Sequence, residues 1–275
     1  MKKLNILIFV FVIISCSNLR KFPSERYYSF TYYFSEEYKN DTLFFHLSNP
    51  LMCPLSVKLR NDSVQSPMLN QFGSVLLKEK QDTTIKIYAP NFNQITPIIY
   101  STNYGDVNRK INLEPIAFPF PVGREYEIIQ GYRGKFSHND VYSRYSIDFG
   151  LKIGDTITCV DDGYVVGVIE DYKGYGTGRK WLLNDRSNYI TLYHPQSGLF
   201  SQYVHLDYKG ALVELGAFVR KRQAIGICGM TGYTNIEHLH FTVKYASPKE
   251  GLIAIPIAFE NGIQGGDLKR NNVVK

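Results

Sequence analysis

The chain has 275 residues, 44% of them hydrophobic, and a formal net charge of +6. That is apolar material for one large domain or two modest ones, and no dense Lys/Arg block argues for a nucleic-acid partner. With 21 Tyr and 17 Phe, and no long Leu/Ala/Glu/Lys stretches, the composition favours strands over helices.

The chain begins "MKKLNILIFVFVIISC", two lysines followed by an apolar run from Leu4 to Ile14. The run is short of the ~20 residues a membrane helix needs and has the build of a secretory signal peptide. An ordinary signal cut near Ser15, or an uncut anchor, is the plain reading. Ile13-Ile14-Ser15-Cys16, however, resembles the bacterial lipobox, which implies residues 1–15 as signal, lipid on Cys16 and a polar tether over 16–25. Ser17, where an Asp would retain the protein, looks like the outer-membrane sorting signal of Gram-negative bacteria. The expectation is an exported, lipid-anchored protein, on the outer membrane and facing the periplasm. Removal of Lys2 and Lys3 with the signal lowers the charge from +6 to +4.

Residues 26–112 read as strands: "YYSFTYYF", "DTLFFHL", "LSVKL", "GSVLLKE" and "TTIKIYA", separated by Asn, Asp, Gly and Pro turn clusters. This spacing predicts a small antiparallel β-sandwich, with His46 a structural strand residue. "LEPIAFPFPVG", residues 113–123, carries three prolines and reads as a linker.

Glycine-punctuated strands follow: "GDTITCVDDGYVVGVIED", "NYITLYH", "SQYVHL", "ALVELGAFV", "QAIGICG" and "EHLHFTVKY". Residues 261–275 read as a polar, frayed tail. The predicted fold class is all-β throughout. Apart from Cys16, three cysteines remain, Cys53, Cys159 and Cys228, with no CxxC pairing. Cys159 and Cys228 read as small buried strand residues.

The chemistry-bearing residues lie in the second half. His238 and His240 are two apart in a predicted strand, so their imidazoles share one face while Leu239 and Phe241 take the other. Two neighbouring buried imidazoles need partners; alone, the pair is weak evidence for a metal. His138 precedes Asp148 by ten residues, and Asp148 stands between Ile147 and Phe149, a setting in which a carboxylate usually faces a cation. Two His and one Asp make a sound catalytic zinc set with one position open for water. His205 lies in another predicted strand. No HExxH motif is present, so no glutamate stands ready as base.

Taken in order, "FSH…YSIDFG", "GDTITCVDDGYVVGV", "NYITLYHPQSGLFSQYVHL", "GAFVRKRQAIGICGMTG" and "EHLHF" resemble the lysostaphin-like (LytM-type) zinc metallopeptidases of peptidoglycan. The resemblance covers residues 116–260 and implies a lysostaphin-type antiparallel β-sheet. It implies one Zn2+ per chain on His138, Asp148 and His240, with His205 and His238 catalytic but not ligands. It also implies hydrolysis of peptide cross-links by a metal-activated water, with peptidoglycan as partner; the mildly basic charge suits that anionic polymer. The base could be either His205 or His238. Two features depart from the family: the ten-residue gap, where four is common, and Glu237 where proline is usual. His194 matches a family position but sits at a strand end before a turn. The alternative is a catalytically silent wall-binding regulator of other peptidoglycan hydrolases.

Overall fold

The computed structural model describes residues 33–60, 74–90, 98–184 and 186–275. The signal, Cys16 and the tether lie outside the described residues.

The N-terminal unit contains β1 (Tyr33–Lys39), β2 (Thr42–Asn49), β3 (Leu55–Arg60), β4 (Ser74–Leu77), β5 (Gln81–Tyr88) and β6 (Ile99–Tyr104). They form two three-stranded antiparallel sheets, ordered β1-β2-β5 and β4-β3-β6. The period-2 pattern explains the packing: in β2, Leu43, Phe45 and Leu47 point inward while Thr42, Phe44 and His46 alternate outward. Their partners across the sandwich are Leu55, Val57 and Tyr100. The expected small sandwich is therefore present, with one further strand, β6, that the turn pattern did not mark. The first strand runs on to Lys39 rather than ending near Phe34. His46 is structural, its Nδ1 lying 3.0 Å from Thr84 Oγ1.

The second unit contains β7 (Tyr126–Gln130), β8 (Ile147–Phe149), β9 (Thr156–Thr158), β10 (Gly163–Ile169), β11 (Tyr175–Gly176), β12 (Tyr189–His194) and β13 (Leu199–Val204). Beyond these come β14 (Leu206–Ala211), β15 (Phe218–Val219), β16 (Ala224–Cys228), β17 (Gly232–Tyr233), β18 (Leu239–Ser247), β19 (Gly251–Ala254) and β20 (Val273–Val274). The main sheet is ordered β15-β10-β12-β13-β18-β8-β7-β20, with β19 also on β18. Antiparallel neighbours and alternating side chains put Ile190, Leu192, Tyr203, Leu239, Phe241 and Val243 on one face. The small sheet β14-β16-β9 contributes Ile157, Leu206 and Ile225 to the same core. Cys159 and Cys228 are buried free thiols, and burial pushes both up to about 12. They are inert packing groups.

Three sequence expectations change here. "ALVELGAFV" is not one strand: it comprises the end of β14, a turn closed by Gly216 at φ +88°, and β15. The proline-rich stretch is only partly a linker, because Phe118 stacks on Phe259 at 4.3 Å and on Phe120 at 5.1 Å within the second core. The tail is not frayed. β20 pairs with β7, Asn271 N donates to Ile128 O at 2.9 Å, and Leu268 and Val274 are buried.

The other face of the main sheet serves two purposes. On β18 its row reads His240, Thr242, Lys244, Ala246; on β13 it reads Val204, Gln202, Phe200; on β12 it runs from Tyr189 to Tyr193. The last member of each row, Ala246, Phe200 and Tyr193, is buried in the same cluster as the sandwich residues Cys53, Leu55 and Tyr104. Gly105, at φ +85°, brings the N-terminal backbone so close that a Cβ there would lie 2.9 Å from Ala246 Cβ and 3.0 Å from the Phe200 ring. Arg109 clasps the β12–β13 turn, donating to the carbonyls of Pro195 at 2.8 Å and Gln196 at 2.6 Å. The N-terminal unit thus covers one end of the face whose other end carries the histidines.

Candidate active site

β8 and β18 are paired so that Asp148 lies directly opposite His240. A strand pair fixes that register because slipping by one residue would turn Phe149, Leu239 and Phe241 out of the core. His138 comes from the loop after β7 and is fully buried. Its Nδ1 donates to Gly131 O at 2.9 Å, which leaves Nε2 as the free lone pair of the neutral ring. That Nε2 is 3.1 Å from Asp148 Oδ1 and 3.2 Å from His240 Nδ1; His240 Nδ1 is 2.9 Å from the same Oδ1. The far side of His240, Nε2, is 3.2 Å from Thr242 Oγ1, which in turn bonds Ser146 Oγ.

Three acceptor atoms thus converge in a triangle with edges near 3 Å. Bare lone pairs at that separation repel unless a cation lies among them. The edges are close to the roughly 3.3 Å expected between ligand atoms that sit 2.0–2.1 Å from a tetrahedral ion. The donor set, two imidazoles and one carboxylate with their outer atoms already hydrogen-bonded, suits a borderline divalent metal. His138, Asp148 and His240 therefore form a possible metal site.

The electrostatics of the cluster follow from burial and from its own members. Burial pushes the Asp148 carboxyl upward, but His238 and the hydrogen bonds to His138 and His240 outweigh it and hold the group well below the usual carboxylate range. For His138, burial opposes protonation while Asp148 favours it, and the balance is upward. Burial moves His240 down despite Asp148.

His238 and His205 stand beside this triangle. His238 immediately precedes β18, and its Nδ1 donates to Ile236 O at 2.9 Å, so Nε2 faces inward, 3.7 Å from Asp148 Oδ1. His205 is not an ordinary strand residue, as its pattern suggested. It forms the kink between β13 and β14 at φ +70°, a conformation that costs an L-residue energy and recurs at functional sites. Gly229 N holds the kink by donating to His205 O at 2.9 Å. Its Nδ1 donates to Thr231 O at 2.7 Å, again leaving Nε2 inward. The His205 and His238 rings are 4.6 Å apart. Burial first, then the charges of His238 and His240, hold His205 well below the usual histidine range, so it is neutral near pH 7.

All five sequence-predicted residues are thus brought together. A groove of about 710 Å³ opens over them, and Asp148, His205, His238 and His240 line it. Phe136 stacks on Tyr233 at 5.2 Å and 8°, bridging two of its walls. His194 lies elsewhere, buried between Asp162 O and Ser201 Oγ, and is structural. Glu237 ties its loop to the neighbouring one, pairing with Lys152 at 2.9 Å and accepting from Ile153 N. Gln130 went unnoticed in the sequence. Its Nε2 donates to Asp148 Oδ2 at 3.1 Å, and its Oε1 accepts from Phe136 N, so one amide aligns both the carboxylate and the loop bearing His138. A lone glutamine at a strand end carries no pattern that would reveal this. Thr242 was more visible, since it shares the face of His240 two residues away.

Residues 142–250 match Peptidase family M23. The match includes Asp148, His205, His238 and His240, while His138 lies just before it. Among curated relatives, the chain is 31% identical over 147 residues to an uncharacterized metalloprotease of Buchnera aphidicola, covering 50% of this chain and 35% of that one. It is 30% identical over 145 residues to the peptidoglycan DD-endopeptidase ShyB of Vibrio cholerae, covering 50% and 30%. Lysostaphin of Staphylococcus simulans is 31% identical over 97 residues, covering 35% and 17%. The chain therefore spans about a third or less of these relatives' lengths. Similar solved structures include the lysostaphin catalytic domain from Staphylococcus simulans, 25% identical with a TM-score of 0.29, covering 48% of this chain and 79% of that one. A zinc-containing peptidase from Vibrio cholerae is 15% identical with a TM-score of 0.38, covering 86% and 81%.

Proposed function

We propose, from the match of residues 142–250 to Peptidase family M23, that this chain is a zinc metalloendopeptidase hydrolysing peptide cross-links of peptidoglycan. The observation that carries the proposal is the convergence of His138 Nε2, Asp148 Oδ1 and His240 Nδ1 beneath a groove into which His205 and His238 also point. The relatives named as a peptidoglycan DD-endopeptidase and as lysostaphin support the substrate class.

A zinc ion on those three atoms would supply Lewis acidity, lowering the pKa of water there towards ~7 and polarising the scissile carbonyl. The chain's own groups do the rest. His238 presents Nε2 with its other nitrogen fixed by Ile236 O, so it is oriented to take a proton from the attacking water and return it to the leaving amine. His205, neutral and locked by Thr231 O, orients that water or steadies the developing charge on the substrate oxygen. Gln130 keeps Asp148 from rotating. A silent regulator would need none of these five groups held so closely.

The anchor forms part of the same proposal. Lipid on Cys16 would place the protein on the outer membrane facing the periplasm, where the wall is within reach. Of a glycine bridge and a D-alanyl–diamino-acid bond, the sorting signal favours the latter. The deciding experiment is digestion of purified sacculi by the mature protein with mass analysis of the released muropeptides. New uncross-linked stems support the proposal; unchanged cross-linking with zinc-loaded protein overturns it.

A further inference from the structure

We propose that Thr242 and Ser146 are positioning residues for the metal site: their paired hydroxyls decide which nitrogen of His240 carries the ring proton, and so whether its Nδ1 can bind a metal. The proposal rests on the zinc reading above and deepens it, from which residues bind to what prepares one of them.

Of the four histidines at the site, three rest an outer nitrogen on a main-chain carbonyl. His138 Nδ1 meets Gly131 O at 2.9 Å, His205 Nδ1 meets Thr231 O at 2.7 Å, and His238 Nδ1 meets Ile236 O at 2.9 Å. Thr234 Oγ1 is also 3.4 Å from His238 Nδ1, but that hydroxyl donates to the same Ile236 O. A carbonyl only accepts, so each of these rings carries its proton on Nδ1 and turns the Nε2 lone pair inward. His240 is built the other way round. Its inward atom is Nδ1, and its outer Nε2 lies 3.2 Å from Thr242 Oγ1. A hydroxyl both donates and accepts, so no carbonyl fixes the tautomer of this ring.

Two arrangements are open to it. With the proton on Nδ1, the ring donates to Asp148 Oδ1, 2.9 Å away, and that nitrogen has no lone pair for a metal. With the proton on Nε2, Nδ1 completes the triangle, and Thr242 must accept. Thr242 can accept and stay satisfied only if its own hydrogen goes elsewhere, and Ser146 Oγ is the partner that receives it. The donation then runs from His240 to Thr242 to Ser146. Strand register places the relay: His240 faces Asp148 and Phe241 faces Ile147, so Thr242 and Ser146 are the next rung of the same ladder. Both hydroxyls belong to buried residues, where a group left without its partner bears the full cost of desolvation.

The test measures binding of Zn2+ and Co2+ to the full mature chain by competition with a chelator, and needs no substrate. Thr242→Val should weaken both by about 10–100-fold, as loss of the partner of a ligating imidazole does. Thr242→Ser, which keeps the hydroxyl, should stay near wild type. Ser146→Ala should weaken binding in the same direction, because Thr242 then turns its hydrogen towards Nε2. Nitrogen-15 spectra of the zinc-loaded wild type should place the His240 ring proton on Nε2. Wild-type affinity in either folded Thr242→Val or folded Ser146→Ala overturns the proposal. So does an equal loss in Thr242→Ser and Thr242→Val, since packing and not the hydroxyl would then be responsible. If wild type binds no zinc, the metal reading has failed and the proposal falls with it. Zinc binding that follows this pattern in a protein that leaves sacculi uncut would overturn the peptidase reading and uphold the relay.

Discussion

Removal of everything before Glu114 tests how the two units depend on each other. Among the described residues, those lining the groove begin at Ile129, so no described part of the sandwich builds the site. The sandwich does cover Val166, Tyr193, Phe200 and Leu252, all buried in a cluster shared between the units. Fully exposing four large side chains costs about 6–12 kcal/mol at 1.5–3 kcal/mol each. Each still packs sideways against sheet neighbours, so about half, roughly 3–6 kcal/mol, is the better figure. At about 2–4 °C per kcal/mol for a domain of this size, the Tm should fall by roughly 6–24 °C. Zinc stoichiometry should not change, because the three proposed ligands and Gln130 all remain. The assay is thermal unfolding of zinc-loaded fragment and full chain at equal concentration, with metal analysis and a sizing run to detect association through the bared patch. A monomeric fragment melting within 2 °C of the full chain would refute the shared core. A folded fragment that binds no zinc would show that earlier residues complete the site.

The purified wild type should carry about one zinc per chain, and Asp148→Ala or His240→Ala should remove it, as read by metal analysis; a metal-free wild type would sink the ligand assignment. His238→Ala should keep its zinc yet lose roughly 10²–10⁴-fold in muropeptide turnover, and loss of metal in that variant would make His238 a ligand instead. Cys16→Ser should abolish palmitate labelling and release the protein from membranes without changing its Tm, since lipid burial of ~0.8 kcal/mol per CH₂ acts only at the anchor. Continued labelling would refute lipidation at that position.

The all-β fold was legible because alternation is a local signal, and β2 shows it plainly. The site residues were legible for a different reason: the HxH pair and the flanked aspartate put polar groups where a core strand should have few, while the roles of all five, His205 above all, came from the order of motifs that resembles the lysostaphin-like peptidases. What escaped depends on contacts distant in sequence. Gln130 meets Asp148 only because β7 and β8 pair, and Ser146 meets Thr242 only because β8 and β18 do. The tail misled through composition: eleven of its fifteen residues are polar or glycine, yet the buried Leu268 and Val274 anchor it. His205 misled through continuity, since alternation reads straight across its kink, and a positive φ at a histidine leaves no mark in composition.

The ten-position spacing from His138 to Asp148 looked like a departure that endangered the ligand set. The two proposed ligands are in fact held from outside that loop, His138 by the carbonyl of Gly131 and Asp148 by strand register, with Gln130 bonded both to Asp148 and to the amide of Phe136. The intervening loop therefore does not measure the distance between them. Its length is a free variable of the architecture, and Tyr142 and Ser143 on it face the groove. Loops of other lengths and sequences could be grafted between Asn139 and Tyr145 to reshape that wall, with the metal triangle serving as an invariant chassis.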